Sequence, residues 1–244
     1  MVAQELLRRA AAHVLVDRVE VPALTERAEH HLFRVLRVND GELVTVTDGR
    51  GAWRPCRAAD GALRPDGEIE HVGPPVAPIE LYVAIPKQDR PEWLVQKATE
   101  LGADRIVFLH ADRSVVRWVG ERADRHLAKL STVAAEASMQ SRRVWVPIVE
   151  GPVDVATVIG SVPIAEPGGR PVSASDHRIA IGPEGGWSER EVALAHDLIG
   201  LGPHVLRVET AALAATTLLA RATPRGDRGP TISPTAPRDV FGGR

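Results

Sequence analysis

The sequence predicts an α/β protein in two parts, a small β-barrel followed by an α/β domain with a largely parallel sheet. Three observations carry that expectation. Short Val-rich segments alternate with tight-turn residues over 13–72, a proline-rich break follows at Gly73–Pro78, and strand and helix patterns alternate from Glu80 onward. At 244 residues the chain is long enough for one large or two ordinary domains.

In the first part, His13–Val16 and Glu42–Thr47 are rich in Val with partial alternation. Asn39-Asp40-Gly41, Asp48-Gly49-Arg50-Gly51, Asp60-Gly61 and Asp66-Gly67 supply turn chemistry between short strands. One helix, Glu26–Leu36, is predicted to interrupt them, preceded by Pro22 and Thr25. The three prolines Pro74, Pro75 and Pro78 disfavour both helix and ladder, so residues 1–73 form one domain and 74–78 a linker. The second domain is expected over 79–222. Glu80–Ile85 reads as a strand; Asp89 and Pro91 open a helix that Gly102 stops after Leu101; Arg105–His110 is the next strand. Leu127, Leu130, Val133, Ala134 and Ala137 fall at helical spacing in Glu121–Gln140. Val144–Val149 and Val162–Ala165 are strand candidates. A Gly/Pro/Ser-rich loop containing Gly168 and Gly169 separates the latter from a strand at Arg178–Ile181. A strand at Val205–Val208 leads into a last helix, Thr210–Arg221. Residues 223–244, rich in Pro, Gly, Arg and Thr, read as a disordered tail.

Composition excludes several classes. With 44% apolar and 25% charged residues, and no run of about 18 apolar residues, the chain is not expected to span a membrane. Its N-terminal stretch lacks a signal-peptide core, which makes the cytoplasm the expected location. The single cysteine, Cys56, leaves no intramolecular disulfide or multi-cysteine zinc site. His30-His31 lacks metal-helix spacing, no H-E-x-x-H occurs, and no G-x-S-x-G marks a nucleophilic serine, so neither a metal nor a serine hydrolase is expected. The net charge of −2 announces no polyanion partner, so any nucleic-acid surface must be local. Residues 112–143 carry seven basic against four acidic residues and 30–57 five arginines against three acids. A solvated helix face would explain the first stretch equally well.

Chemistry concentrates in four clusters. The sharpest is Ile181-Gly182-Pro183-Glu184-Gly185-Gly186-Trp187-Ser188, where a buried strand enters a glycine-rich turn and Ser188 with Glu191 has capping-box spacing. Glycines let backbone approach a ligand at the carboxyl end of a parallel strand, although a tight strand-to-helix connection alone would also use them. Glu184 in the loop argues against phosphate and suits hydroxyls, an amine or a sulfonium. Next comes Leu201-Gly202-Pro203-His204-Val205-Leu206-Arg207-Val208-Glu209-Thr210, in which Arg207, between apolar neighbours of an expected buried strand, must be paired or line a cleft. The others are Lys97 to Gly102, after Pro86–Glu92, and Asp112-Arg113-Ser114 together with Glu136 to Arg143.

In the order HLFRVLRVNDGE (from His31), QKATELGADRI (from Gln96), DRSVV (from Asp112), EASMQSRR (from Glu136), IGPEGGWSEREV (from Ile181) and LGPHVLRVETA (from Leu201), these pieces resemble the RsmE family of SPOUT methyltransferases. That family methylates N3 of one uridine in 16S ribosomal RNA. The resemblance spans most of residues 13–220, and GPEGG followed by LG…LRVETA with an upstream KATELG is its specific signature. It implies a PUA-like RNA-binding barrel, a SPOUT α/β domain with a deep trefoil knot, a homodimer, and S-adenosylmethionine held by backbone groups of the knot loops. By position, Ile181, Gly182, Pro183, Glu184, Gly185 and Gly186 would form one wall of the cofactor site, and Leu201, Gly202, Val205, Leu206 and Arg207 the other.

For uridine N3, an imide whose proton must leave, the expected catalytic residues are Arg113, Arg143 and Arg207 against the pyrimidine oxygens, Gln140 at the base edge, and Glu209 as proton acceptor or orienting group. The target base must be unpaired or extruded. Arg34, Arg37 and Arg50, with Arg113, Arg142 and Arg143, are the expected RNA contacts. The expected partners are 16S rRNA or the small ribosomal subunit and a second copy of the chain, with no metal and no membrane. Two alternatives stay open at this point: a SPOUT enzyme with another target nucleotide, and a non-catalytic RNA-binding assembly factor, which would bind cofactor without turnover.

Overall fold

The structure is a computed structural model and describes residues 2–223. The tail expected over 223–244 lies, Thr223 apart, outside the described residues. A helix that the sequence pattern did not announce, α1 (Val2–Arg9), precedes β1 (Ala12–Leu15). Glu5 reaches Arg8 and Arg9 one turn on, while Leu7 is buried with Trp53 and Val144.

The helix expected over Glu26–Leu36 is present in two windings. The Thr25 hydroxyl accepts from the Ala28 amide to start α2 (Glu26–Glu29), and a π-helical stretch, His30–Val35, continues it. Then β2 (Leu43–Thr47), β3 (Ala52–Ala59), β4 (Ala62–Pro65) and β5 (Glu70–His71) join β1 in a five-stranded sheet. Here β1 runs parallel to β2, and the remaining pairs are antiparallel. Asp60 and Gly61 both have positive φ, the conformation a two-residue hairpin between β3 and β4 requires. Inward residues Val14, Leu32, Val44, Val46 and Cys56 form the core of this part. Burial pushes the Cys56 thiol up to about 11, so it stays protonated and unreactive at neutral pH.

The second part is built on six parallel strands in the order β11-β9-β10-β6-β7-β8. These are β6 (Glu80–Ala84), β7 (Arg105–His110), β8 (Ile148–Asp154), β9 (Ile164–Arg170), β10 (Arg178–Ile181) and β11 (Leu198–Ile199). Helices α3 (Arg90–Leu101), α4 (Glu121–Gln140) and α6 (Val208–Ala222) cover one face, burying Leu94, Leu130, Ala134, Ala212 and Leu219 on Leu81, Val83, Ile106, Phe108 and Ile179. The other face is covered by Val155, Ile159 and Trp187, with Val192 of the short α5 (Glu189–Leu194). Gly102 ends α3 at φ +106, as the Gly stop requires. No described helix is long and apolar enough to cross a membrane.

Three expected strands shift. The Val144–Val149 strand starts only at Ile148, because Trp145 is diverted to bridge Arg50 and Pro147 has no amide to donate. The Val162–Ala165 strand starts at Ile164 and continues through Gly168 and Gly169, which the sequence had assigned to a loop. A Cβ at Gly169 would lie 2.7 Å from the Ile199 backbone, so glycine is what lets β9 meet β11. At Val205–Val208 there is no strand. The pairing partner is Leu198–Ile199, residues 201–207 form a loop with Gly202 at φ +148, and the helix begins early, at Val208.

The two sheets meet at a polar junction. His13 is buried, its Nε2 facing the Arg143 carbonyl at 3.1 Å and its Nδ1 the Thr45 hydroxyl at 2.8 Å. Burial pushes this imidazole down to about 4. The Arg143 guanidinium makes a 2.6 Å ion pair with Asp104 and donates to the carbonyls of Thr99, Ala103 and Trp145. Burial lowers its pKa, and Asp104 opposes that shift. Arg142, at φ +62, donates to the Ala10 carbonyl, and Arg27 pairs with Glu136.

Candidate active site

A cavity of about 380 Å³ opens at the carboxyl end of β10, where parallel sheets place ligands. One wall is Ile181 to Trp187. Here the chain turns at Gly186 (φ +70) and enters α5 through a complete capping box: the Ser188 hydroxyl accepts from the Glu191 amide while Glu191 accepts from the Ser188 amide. Glu191 is buried, and its other carboxylate oxygen accepts from the Asp112 amide at 2.8 Å. The Asp112 side chain in turn accepts from the Ser188 hydroxyl and pairs with Arg190, both at 2.6 Å. The Arg190 and Ser188 hydrogen bonds hold the Asp112 carboxyl below its ordinary value. The segment after β7 is thus tied to the segment after β10.

Two glycines of this wall are closely packed, and at Gly182 the approach leaves no room for a side chain. A Cβ at Gly182 would stand 2.9 Å from the Trp187 ring, and one at Gly185 would stand 3.3 Å from the Arg113 Cβ. Arg113 donates to the Gly185 carbonyl at 3.1 Å. The opposite wall is Leu201, Gly202, His204, Val205 and Leu206, with Val208 and Ala211 from the start of α6. Ala165, Glu166 and Pro167 of β9 complete the lining. The indole of Trp187 donates to the Ala165 carbonyl at 3.0 Å, joining β9 to the first wall.

The structure brings Ile181, Gly182, Pro183, Glu184, Gly185, Gly186, Leu201, Gly202, Val205, Leu206 and Arg113 around one cavity. Arg207 does not line it. The expectation that a charge there sits within a buried strand gives way to an exposed residue at the N-cap of α6. Glu209 also lies outside the lining, pairing through Oε1 with Arg90 at 3.1 Å, while its buried Oε2 has no hydrogen-bond partner. Gln140 is exposed at the end of α4. Arg143, expected at the base, is instead committed to the junction described above, and so is Arg142. Arg34, Arg37 and Arg50 are exposed on the first part. Sequence reasoning missed Ala165, Glu166, Pro167, Trp187, His204, Val208 and Ala211 as lining residues. Of the β9 residues, the Glu-Pro-Gly-Gly run at 166–169 carried a signal, and it read as a loop. Among the described residues, no three His, Cys, Asp or Glu side chains group as a metal site.

Comparison with known proteins places this arrangement. Residues 73–220 match the RNA methyltransferase domain family, and residues 24–59 match the RNA methyltransferase PUA domain family. The chain is 32% identical over 222 residues to the ribosomal RNA small subunit methyltransferase E of Mycobacterium tuberculosis, covering 81% of this chain and 85% of that one. Among solved structures it resembles a methyltransferase from Legionella pneumophila bound to S-adenosylmethionine (26% identity, TM-score 0.73, 86% of this chain and 96% of that one). It also resembles the ribosomal RNA small subunit methyltransferase E of Neisseria gonorrhoeae bound to the same molecule (28% identity, TM-score 0.68, 84% and 94%). A family match over more than half its length, together with a relative above 30% identity along most of both chains, makes the chain a member of the ribosomal RNA small subunit methyltransferase E family.

Proposed function

We propose that the cavity between Ile181–Trp187 and Leu201–Leu206 binds S-adenosylmethionine and that the protein uses it to methylate N3 of a uridine in 16S ribosomal RNA of the small subunit. The observation that carries this reading is the convergence of two glycine-containing walls at the carboxyl end of β10, in a chain whose relatives were solved with that molecule. The residues fit such a ligand. The volume suits a cofactor-sized molecule, Gly182 and Gly185 let the Trp187 ring and Arg113 pack against the wall, and Glu166 and Glu184 give an acidic lining.

When bound, the donor supplies an electrophilic methyl group on a positively charged sulfur. Arg113, at the cavity lining, orients the uracil and stabilises the negative charge that develops on its oxygens as the N3 proton leaves. Its Nη1 is held by Gly185, which fixes the side chain and leaves other guanidinium donors free for the base. Arg207, exposed at the head of α6 just beyond the second wall, is the candidate to reach the same charge when RNA is bound. Glu209 has acceptor capacity in its unpartnered Oε2 and is the candidate to receive or direct the proton. The exposed Arg34, Arg37 and Arg50 contact phosphates and set register on the RNA. A PUA-like barrel for residues 1–73, a linker at 74–78, and a trefoil-knotted SPOUT domain over 79–222 belong to this reading. The PUA match and the strand order β11-β9-β10-β6 around the cavity support it. A homodimer belongs to it too, supported by the exposed apolar Trp93 on α3 and Leu218 on α6. The working location is the cytoplasm, where the small subunit is assembled.

The test is methyl transfer to small subunits lacking the modification, and to free 16S RNA, with the product nucleoside located by mass spectrometry. N3-methyluridine at one position is the expected product; a methyl group on another nucleotide or on ribose overturns the target assignment.

A further inference from the structure

Between the two walls, the cavity lining is completed by an irregular stretch of β9. Strand β9 pairs with β11 at Ile164↔Leu198 and again at Arg170↔Ile199, so five residues of β9, Ala165–Gly169, are passed between two consecutive residues of β11. This excursion carries Ala165, Glu166 and Pro167 into the cavity lining. Both of its ends are fixed. At one, the Trp187 indole donates to the Ala165 carbonyl. At the other, the Arg170 guanidinium is shared by Asp176 at 2.7 Å and Asp197 at 2.6 Å, and the Gly200 amide donates to the Arg170 carbonyl. Gly169 and Gly200 make that closure possible, since a Cβ on Gly200 would lie 2.6 Å from the Gly169 carbonyl oxygen.

The residue that this frame presents is a half-buried carboxylate with no hydrogen bond or ion pair to any described residue. Surface carboxylates near arginines ordinarily find one; Asp176 and Asp197, at the far end of the excursion, do. Glu184, the other acid of the lining, is exposed, so solvent screens it more strongly. An unpaired, partly desolvated negative charge in a ligand cavity interacts with a bound cation more strongly than the same charge in open water. Methyl donation turns a positively charged sulfonium into a neutral thioether, so a carboxylate in this position distinguishes the two forms of the ligand by charge alone.

Resting on the donor-site reading, we infer that Glu166 is a specificity-determining residue that favours the cationic donor over its neutral-sulfur product and so promotes exchange after each transfer. Isothermal titration of the full chain with S-adenosylmethionine and with S-adenosylhomocysteine tests this. Wild type is expected to bind the donor more tightly than the product. Glu166→Gln, which keeps the side-chain size, is expected to weaken donor binding about five- to tenfold while changing product binding less than twofold. Glu166→Asp is expected to restore most of the difference, and Glu184→Gln to change the ratio less than Glu166→Gln does. Equal losses for both ligands would place Glu166 on a portion common to them, and unchanged binding of both would remove it from recognition; either result overturns the inference. Failure of wild type to bind either molecule overturns instead the reading of the cavity, so the two failures are distinguishable. Unchanged circular dichroism and melting temperature in Glu166→Gln confirm that the ratio reports recognition and not folding.

Discussion

The two walls of the cavity are made of similar residues and held to different extents. Ile181–Trp187 is tied from its middle onward by side chains: Arg113 bonds the Gly185 carbonyl, a capping box follows, and Glu191 and Asp112 lock it to the segment after β7. Leu201–Leu206 is anchored at its root, where Gly200 bonds Arg170, and at its far end, where α6 begins; Val205 between them is almost fully exposed. The difference teaches which glycines shape the site in advance and which allow it to adapt. Gly182 is demanded by the Trp187 contact already made and Gly185 sits tightly against Arg113, whereas a Cβ on Gly202 would meet nothing within 4 Å.

This contrast is best broken by substitutions that treat the walls unequally. The largest expected effect is at Arg113. Arg113→Ala should lower the single-turnover rate of methyl transfer about a hundredfold with little change in donor affinity; an equal fall in affinity would make its role one of wall support. Gly182→Ala comes next. Its new Cβ must displace the Trp187 ring, and with it the bond to Ala165, so donor affinity measured by titration should fall by about an order of magnitude and the melting temperature should drop. Gly202→Ala, strained by its φ but free of contacts, sharpens the comparison if it costs clearly less affinity.

Glu191→Ala removes a helix cap and leaves the Asp112 and Ser188 amides unpartnered. A loss of about 1–2 kcal/mol in denaturant unfolding is expected. Val205→Ala should leave stability within about 0.5 kcal/mol and shift donor affinity less than threefold. An effect as large as that of Gly182→Ala would show the second wall to be as closely fitted as the first.

The fixed wall also has a defined pH range. Arg190 and Ser188 lower the Asp112 carboxyl, so the stabilisation it provides is complete above its ordinary value near 3.8 and is lost as pH falls through its lower folded-state value. Between pH 5 and 8 the wall should therefore not loosen through Asp112. The junction behaves differently. His13 is neutral in the folded protein down to about pH 4, whereas in the unfolded chain it takes a proton near 6.5. Its contribution, about 3 kcal/mol by the free-energy equivalent of that shift, is present above pH 6.5 and fades as pH falls toward 4. Replacing His13 by Gln should flatten that slope in melting curves.

Much of the site was legible because its chemistry is local. Glycines at 182, 185 and 186, and Ser188 with Glu191, announce a turn and a cap within ten residues, and the structure uses them so. The strands Arg105–His110 and Arg178–Ile181 and the helix Glu121–Gln140 appear with the boundaries their patterns indicated. What the sequence hid depended on partners distant in the chain. Arg143 looks like Arg113 in composition, yet Asp104 and three carbonyls take its guanidinium. The Gly168-Gly169 pair looks like loop punctuation, and only the close approach of Ile199 makes it strand. Arg207 reads as a buried charge because the β-like run Val205–Val208 predicts a strand, whereas tertiary pairing chose Leu198–Ile199.

We propose that the methyl donor lies between these two walls. Ultraviolet cross-linking of labelled S-adenosylmethionine to the full chain, followed by peptide mapping, tests it most directly. The label is expected on peptides containing 181–187 or 201–206, and excess unlabelled S-adenosylhomocysteine should suppress it. Specific label confined to peptides of the first part, residues 12–71, would contradict the claim.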